Sequence, residues 1–179
     1  MNAQLPFWNR YYHSHVVMWL GLAFPDGMIL LDNPNAGFIT DPMAWPTSTI
    51  HADMIYLNAQ RAGLGQPEYH LYADKIFRTD QIIIAAYSAQ WGLVTPWMLG
   101  LNLIMSSLRV CVEWSYGKVK YLFKSLSLKT AQKMIGGRPV DDFICATLFT
   151  NCRTCYQWDG PFRTTFGVPP PSIYEYLGQ

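Results

Sequence analysis

A long uncharged stretch places the strongest constraint on how this chain can fold. Residues 81–108 contain no Asp, Glu, Lys or Arg, and a run of that length could cross about 30 Å of hydrocarbon as a helix. Polar residues interrupt the run, however, and Pro96 divides it into two shorter pieces. We therefore expect two buried segments joined by a Pro-containing bend, and no membrane span.

The charges are unevenly distributed along the chain. The net charge is only +1, yet residues 109–138 hold seven basic residues against a single acid, Glu113. A basic block of this kind is typical of contact with a polyanion such as nucleic acid. A solvated helix face is the alternative, and charge alone does not exclude it. Hydrophobic residues make up 50% of the chain, which excludes an intrinsically disordered protein.

Local signals predict a mixed α/β chain. Apolar residues 16–24 and 28–31 flank a turn at 25–27, which predicts a β-hairpin. In the basic block, residues 108, 112, 116, 119 and 123 recur at helical spacing and predict a core face. The other expected elements are a helix over 41–60 with Asp41 as N-cap and Pro42 at its first position, a strand over 69–73 that ends at Asp74, a helix from about Ser106, a helix over 140–156 and an extended tail over 158–179.

Two acidic residues stand where chemistry is expected. Asp74 follows a predicted strand and Glu113 lies on a predicted helix, so the fold could bring the two carboxylates together. Carboxylate oxygens are ligands that Mg²⁺ prefers, and a two-metal site can cleave a phosphodiester. The alternative for Glu113, which lies on the same helix face as several cations, is a salt-bridged surface residue.

The residues around Glu113 form a long and specific pattern. Asn102 precedes residues 105–119, which read Met-Ser-Ser-Leu-Arg-Val-Cys-Val-Glu-Trp-Ser-Tyr-Gly-Lys-Val. This pattern resembles the signature around the last acid of DDE-type transposase nucleases, in particular the PIF/Harbinger-like DDE superfamily endonucleases of fungal and oomycete genomes. Residues 24–29, 71–77, 146–155 and 170–177 are similar to other parts of the same family. The resemblance therefore covers nearly the whole chain.

The resemblance implies a fold, a reaction and a set of metal ligands. The fold would be RNase H-like α/β over residues 1–157, in the order β-hairpin, helix, strand and C-terminal helices. The reaction would be hydrolysis or strand transfer of DNA phosphodiesters with Mg²⁺ or Mn²⁺. Asp74 would be the second acid of the DDE triad and Glu113 the third, both ligating the metal. Asp41 matches the Asp of a His-Asp pair in the family, although Thr40 replaces the His, and it is a further candidate ligand.

The resemblance also implies partners and a defect. Residues Arg109, Lys118, Lys120 and Lys124 would contact DNA in the nucleus. No membrane and no small-molecule cofactor are expected, no secretion signal is evident, and the oligomeric state is left open. The family's first catalytic Asp lies on a strand before the hairpin, and this sequence lacks that strand, so impaired catalysis is expected. The alternatives are a non-catalytic nucleic-acid-binding or protein-interaction remnant of a transposon and a relic with no selected activity.

Overall fold

The computed structural model describes residues 7–9, 13–89, 92–127 and 138–178 of the chain. Over these residues it is a mixed α/β protein in which helices predominate and short strands pair in four two-stranded sheets. Two compact units divide the chain. The first comprises Met1–Leu20 and Asp32–Arg109, and the second comprises Gly21–Leu31 and Val110–Gln179.

The predicted order of hairpin, helix, strand and C-terminal helices is confirmed. In chain order the elements are β1 Trp8–Asn9, β2 Ser14–His15, β3 Val17–Met18, β4 Gly21–Ala23, β5 Ile29–Leu31, β6 Asn35–Ala36, α1 Asp41–Ala44, α2 Thr49–Gly63, β7 Leu71–Ala73, β8 Ile83–Ala85, α3 Pro96–Leu122, α4 Pro139–Tyr156, α5 Pro161–Phe166 and α6 Ile173–Tyr176. Turns of 3-10 helix follow α1 at Trp45–Thr47 and α3 at Lys124–Ser127.

Strand pairing in the first unit mixes both orientations. Strands β1 and β2 are antiparallel, as are β3 and β6, whereas β7 and β8 run parallel with Leu71 opposite Ile83. Helix α2 buries Ile50, Met54 and Asn58, which are four residues apart and therefore share one face. The predicted strand over 69–73 is confirmed as the shorter β7, and Asp74 follows it directly.

The predicted single helix over 41–60 is in fact two helices. Pro46 lies in the 3-10 turn between α1 and α2, and Pro has no N–H to continue an α-helical ladder. The chain then becomes extended at Ser48, whose side chain accepts a bond from His51 N at 3.0 Å and begins α2. The prediction of Asp41 as N-cap is wrong by one residue, because Thr40 is the N-cap and Asp41 is the first residue of α1.

The predicted β-hairpin is confirmed in the second unit as β4 and β5. Gly27 has a φ of +86° in its turn, a conformation that glycine adopts without strain. The side chain of Asp26 accepts a bond from Met28 N at 2.9 Å and closes the turn. Strand β5 then packs on the helices through Ile29, which joins Val119, Leu126 and Ala146 in a buried cluster.

Helix α3 begins at Pro96, ten residues before the predicted start at Ser106. Pro at a first helical position is favourable, and Thr95 Oγ1 accepts a bond from Met98 N at 3.3 Å, so Pro96 begins a helix where a bend was expected. The expectation of two buried segments is confirmed before Pro96, where Ile82 and Ile83 are buried, and is wrong after it, where Leu103 is 75% exposed. None of the helices that the structure describes is long and apolar enough to cross a membrane.

The predicted core face of α3 is displaced. Leu108 is exposed, and the buried residues of the helix are Cys111, Ser115 and Val119. Val119 alone of the five predicted core residues is fully buried, at 0% exposure. The buried face of α3 is therefore formed by residues four positions apart, beginning at Cys111.

The segment from residue 158 onward is partly helical, contrary to the prediction of an extended tail. Helix α5 begins at Pro161 and ends before Gly167, whose φ is +66°. Helix α6 has a capping box, in which Ser172 and Glu175 exchange hydrogen bonds with each other's backbone N–H. These local caps stabilise short helices that hydrophobic periodicity does not reveal.

Candidate functional site

Asp74 lies at the carboxyl end of β7, the strand that pairs in parallel with β8. Its Oδ1 accepts a bond from Lys75 N at 2.7 Å, and its carbonyl accepts one from Phe77 N at 3.0 Å, so the chain turns immediately after the strand. This turn leaves the carboxylate exposed. The carboxyl ends of parallel strands are common binding positions in α/β proteins.

Asp41, the first residue of α1, lies in the same unit as Asp74 and within range of its charge. Burial raises the pKa of Asp41, and the nearby charge of Asp74 raises that pKa further. Two carboxylates that repel each other in this way can share a cation, because the cation removes the repulsion. The charge of Asp74 thus acts on Asp41, the candidate ligand that the sequence had supported least.

Arg109, which lies on α3, forms an ion pair with Asp74. Its Nη1 lies 3.6 Å from Asp74 Oδ2, with the two side chains 41% and 48% exposed. An ion pair this exposed contributes little to stability. The charges of Arg109 and Asp74 also act on Tyr72, whose pKa is raised chiefly by burial. Asp74 therefore interacts with three other ionisable groups at the end of β7: Arg109 by an ion pair, and Tyr72 and Asp41 through its charge.

Glu113 lies one turn beyond Arg109 on α3, in the second unit, and its side chain is exposed. It lines a cavity of about 440 Å³ together with residues of the same unit, including Trp114, Lys118 and Arg153. Within the described ranges, no three or more His, Cys, Asp or Glu side chains form a group that could hold a metal ion. Glu113 lies in a different unit from Asp41 and Asp74.

The predicted DNA-contacting cations have different surroundings. Lys120 and Lys124 are exposed, as a phosphate contact requires. Lys118 is only partly exposed, and its Nζ donates to Thr154 Oγ1 at 3.0 Å. Burial lowers the pKa of Lys118, the charge of Asp159 raises it and that of Arg153 lowers it. Lys118 therefore belongs to the cavity beside Glu113 and does not lie on an open basic face.

Sequence reasoning missed this cavity in the second unit. Its walls come from one face of α3, from Arg153 on α4 and from the residues at the start of α5. Gly117 could have indicated this cavity from the sequence, because a glycine in the middle of a helix lowers helix propensity and leaves a gap in the helix surface. An added Cβ at Gly117 would meet no atom within 4 Å.

The chain matches no protein-family model, no curated protein and no solved structure.

Proposed function

We propose that this chain is a DDE-type nuclease domain of transposase origin, with an RNase H-like fold, that binds DNA and a divalent cation and is impaired in hydrolysis. The observation that carries the proposal is the position of Asp74 at the carboxyl end of a parallel strand, where it contacts Arg109 and its charge acts on Asp41. The motif around Glu113 supports the same function by its resemblance to that family. The impairment is proposed because Asp74 and Glu113 match the second and third acids of that family's triad, whereas no residue matches its first acid.

The residues at the end of β7 fit Mg²⁺ or Mn²⁺ in their chemistry. Both ions prefer hard oxygen donors, and Asp41 and Asp74 supply two carboxylates that already act on each other electrostatically. Glu113, in the second unit, is a candidate ligand by its match to the family's third acid. When bound, the cation would polarise a phosphate oxygen and lower the pKa of an attacking water.

Arg109 has a definite role in this proposal. It neutralises Asp74 through the contact between Nη1 and Oδ2. A guanidinium can also hold two phosphate oxygens with parallel hydrogen bonds. We expect Arg109 to exchange its contact with Asp74 for a DNA phosphate, which places the phosphodiester beside the two carboxylates.

The first test is Mn²⁺ binding, measured by isothermal titration calorimetry on the full chain. Asp74→Asn should weaken the affinity by roughly ten-fold or more, since it removes a ligand charge. The matched control is Asp53→Asn, the same substitution at an exposed residue of α2 in the same unit, which should leave the affinity unchanged. Failure of the unaltered chain to bind Mn²⁺ would overturn the metal-dependent part of the proposal.

The second test is nicking of supercoiled DNA in Mn²⁺. A slow nicking activity should disappear in both Asp74→Asn and Glu113→Gln and persist in Asp53→Asn. Nicking that is equal in all of these proteins would come from a contaminant and would count against a nuclease function.

A second candidate function is non-catalytic nucleic-acid binding. The ion pair between Arg109 and Asp74 favours it, because a guanidinium already neutralises the carboxylate that a cation would need. In that case DNA affinity should be the same with Mn²⁺ and with EDTA and should fall steeply as salt increases. Affinity that requires Mn²⁺ would favour the nuclease function.

A further inference from the structure

The cavity beside Glu113 combines aromatic walls with charged groups. Its volume is about 440 Å³, within the range of about 300–1,000 Å³ that is typical of small-ligand sites. Trp114 and Phe162 meet edge to face, with ring centroids 6.0 Å apart. Phe162 is buried and fixes this wall, whereas Tyr121 on the next turns of α3 is 77% exposed. The cavity thus offers flat surfaces on which a ring can stack.

Two cations and two acids surround these rings. Lys118 and Arg153 line the cavity, and they are close enough for their positive charges to repel each other. Asp159 also lines the cavity, and its negative charge attracts Lys118. Glu113 and Asp159 are carboxylates that accept hydrogen bonds. A ligand that suits all four groups has an anionic part for the cations and an N–H donor for the carboxylates.

We propose that this cavity binds an unpaired nucleotide whose base carries an exocyclic amino group. Base–aromatic stacking is the usual way in which proteins hold single-stranded nucleic acid, and Tyr121 with Trp114 supplies that surface. Lys118 and Arg153 hold the phosphate. Asp159 accepts the amino N–H of the base, as Asp does with cytosine, and Glu113 does so where it holds no cation. Cytosine, adenine and guanine satisfy this requirement and thymine does not.

Because the ligand is part of DNA, the assignment rests on the proposed function, but it can be tested without metal. Fluorescence anisotropy in EDTA would compare a labelled oligonucleotide of cytosine with one of thymine of the same length. The cytosine strand should bind several-fold more tightly. Equal affinity for the two strands would overturn the assignment of the acids to the amino group. Since EDTA removes divalent cations, a failure of Mn²⁺ binding at Asp74 would not affect this result.

Gly117 provides a variant that fills the cavity without a clash. Gly117→Leu projects a side chain into open space and raises helix propensity, so the chain should still fold. The matched control is Gly100→Leu, the same change in the same helix, at a glycine whose added Cβ also meets no atom within 4 Å. Gly117→Leu should abolish the preference for cytosine and Gly100→Leu should retain it. Loss in both variants, or in neither, would place the ligand elsewhere.

Two further measurements define the ligand. Tyr121→Ala, at an exposed residue, should weaken binding of the cytosine strand by at least about five-fold if the base stacks there. Deoxycytidine monophosphate competes with the strand at similar concentrations if the cavity takes a free nucleotide, and only at much higher concentrations if it takes part of a strand. If deoxycytidine monophosphate does not compete at any concentration, the cavity takes neither a free nucleotide nor part of a strand, and the assignment is overturned.

Discussion

At the scale of single residues, Asp80 shows how one carboxylate can fix a loop. Its Oδ1 accepts the N–H groups of Ile82 and Ile83 at 2.7 and 2.6 Å, and its Oδ2 accepts Trp45 Nε1 at 3.1 Å. Burial raises the pKa of Asp80, but these hydrogen bonds and the charge of His51 outweigh burial and lower it. The ionised carboxylate therefore stabilises the turn that leads into β8.

Asp80→Ala should lower the free energy of unfolding by about 1–3 kcal/mol near neutral pH, since two buried N–H groups lose their acceptor. The folded-state pKa lies below the ordinary value of 3.8. The stabilisation is thus fully present above pH 3.8 and is lost as the pH falls through the folded-state pKa. Urea denaturation of both proteins should show a difference that shrinks below pH 3.8.

The control for this prediction is Asp80→Asn. The amide keeps an oxygen for Ile82 and Ile83 but presents its NH₂ group to the Trp45 N–H, so it should lose less stability than the alanine variant. Equal losses of stability in the two variants would show that the bonds from Ile82 and Ile83 to Asp80 do not stabilise the fold. A loss that does not change with pH would show that the charge of Asp80 does not contribute to stability.

At the scale of elements, asparagine side chains connect helices to extended segments. Each of three helices carries an Asn whose amide donates to the carbonyl of one residue and accepts from the N–H of that same residue. This reciprocal pair resembles the exchange of two bonds between opposite residues of antiparallel strands. The pairs are Asn58 with Tyr69, Asn102 with Tyr87, and Asn151 with Ile29.

Substitutions at two of these asparagines should differ in their effect. Asn151 is 4% exposed and also donates to Tyr176, so Asn151→Ala leaves buried backbone groups of Ile29 without partners and should cost about 2–3 kcal/mol. Asn102 is partly exposed, and water can replace its bonds, so Asn102→Ala should cost about 1 kcal/mol or less. Urea denaturation measures both, and a larger cost at Asn102 would contradict the role of burial.

At the scale of the whole molecule, the basic block is less continuous than the sequence implies. Lys120 and Lys124 are exposed, Lys118 faces the cavity of the second unit, and Arg138 is paired with Asp141 at 3.3 Å. Lys129 and Lys133 lie outside the described residues. Among the described residues of the block, the number of cations that can contact the phosphates of a DNA duplex is therefore smaller than the number in the sequence.

Duplex DNA binding should report this number directly. Each neutralised phosphate contributes about 0.9 to the slope of log affinity against log salt. The double variant Lys120→Gln with Lys124→Gln should therefore reduce the slope by roughly two. Arg138→Gln, which removes an already paired charge, should change it much less. A slope that the double variant does not alter would exclude these lysines as phosphate contacts.

Much of the local structure could be predicted because its causes are local. The turn at residues 25–27, the strand that ends before Asp74 and the helix that follows Pro139 all depend on backbone preferences of a few neighbouring residues. The candidate acids Asp74 and Glu113 came from a motif, and the third, Asp41, had only a partial match. Sequence could not indicate that the charge of Asp74 would act on Asp41, because the two residues are more than thirty positions apart.

The sequence by itself determined the α/β class, the order of the elements and the residue types available for chemistry. The tertiary structure decided which of those residues are buried and which meet. Leu108 is exposed and Lys118 is partly buried, although hydropathy predicts the reverse. Helical spacing defines the faces of α3, but burial of a face requires a partner, and the partners β5 and α4 come from distant parts of the chain.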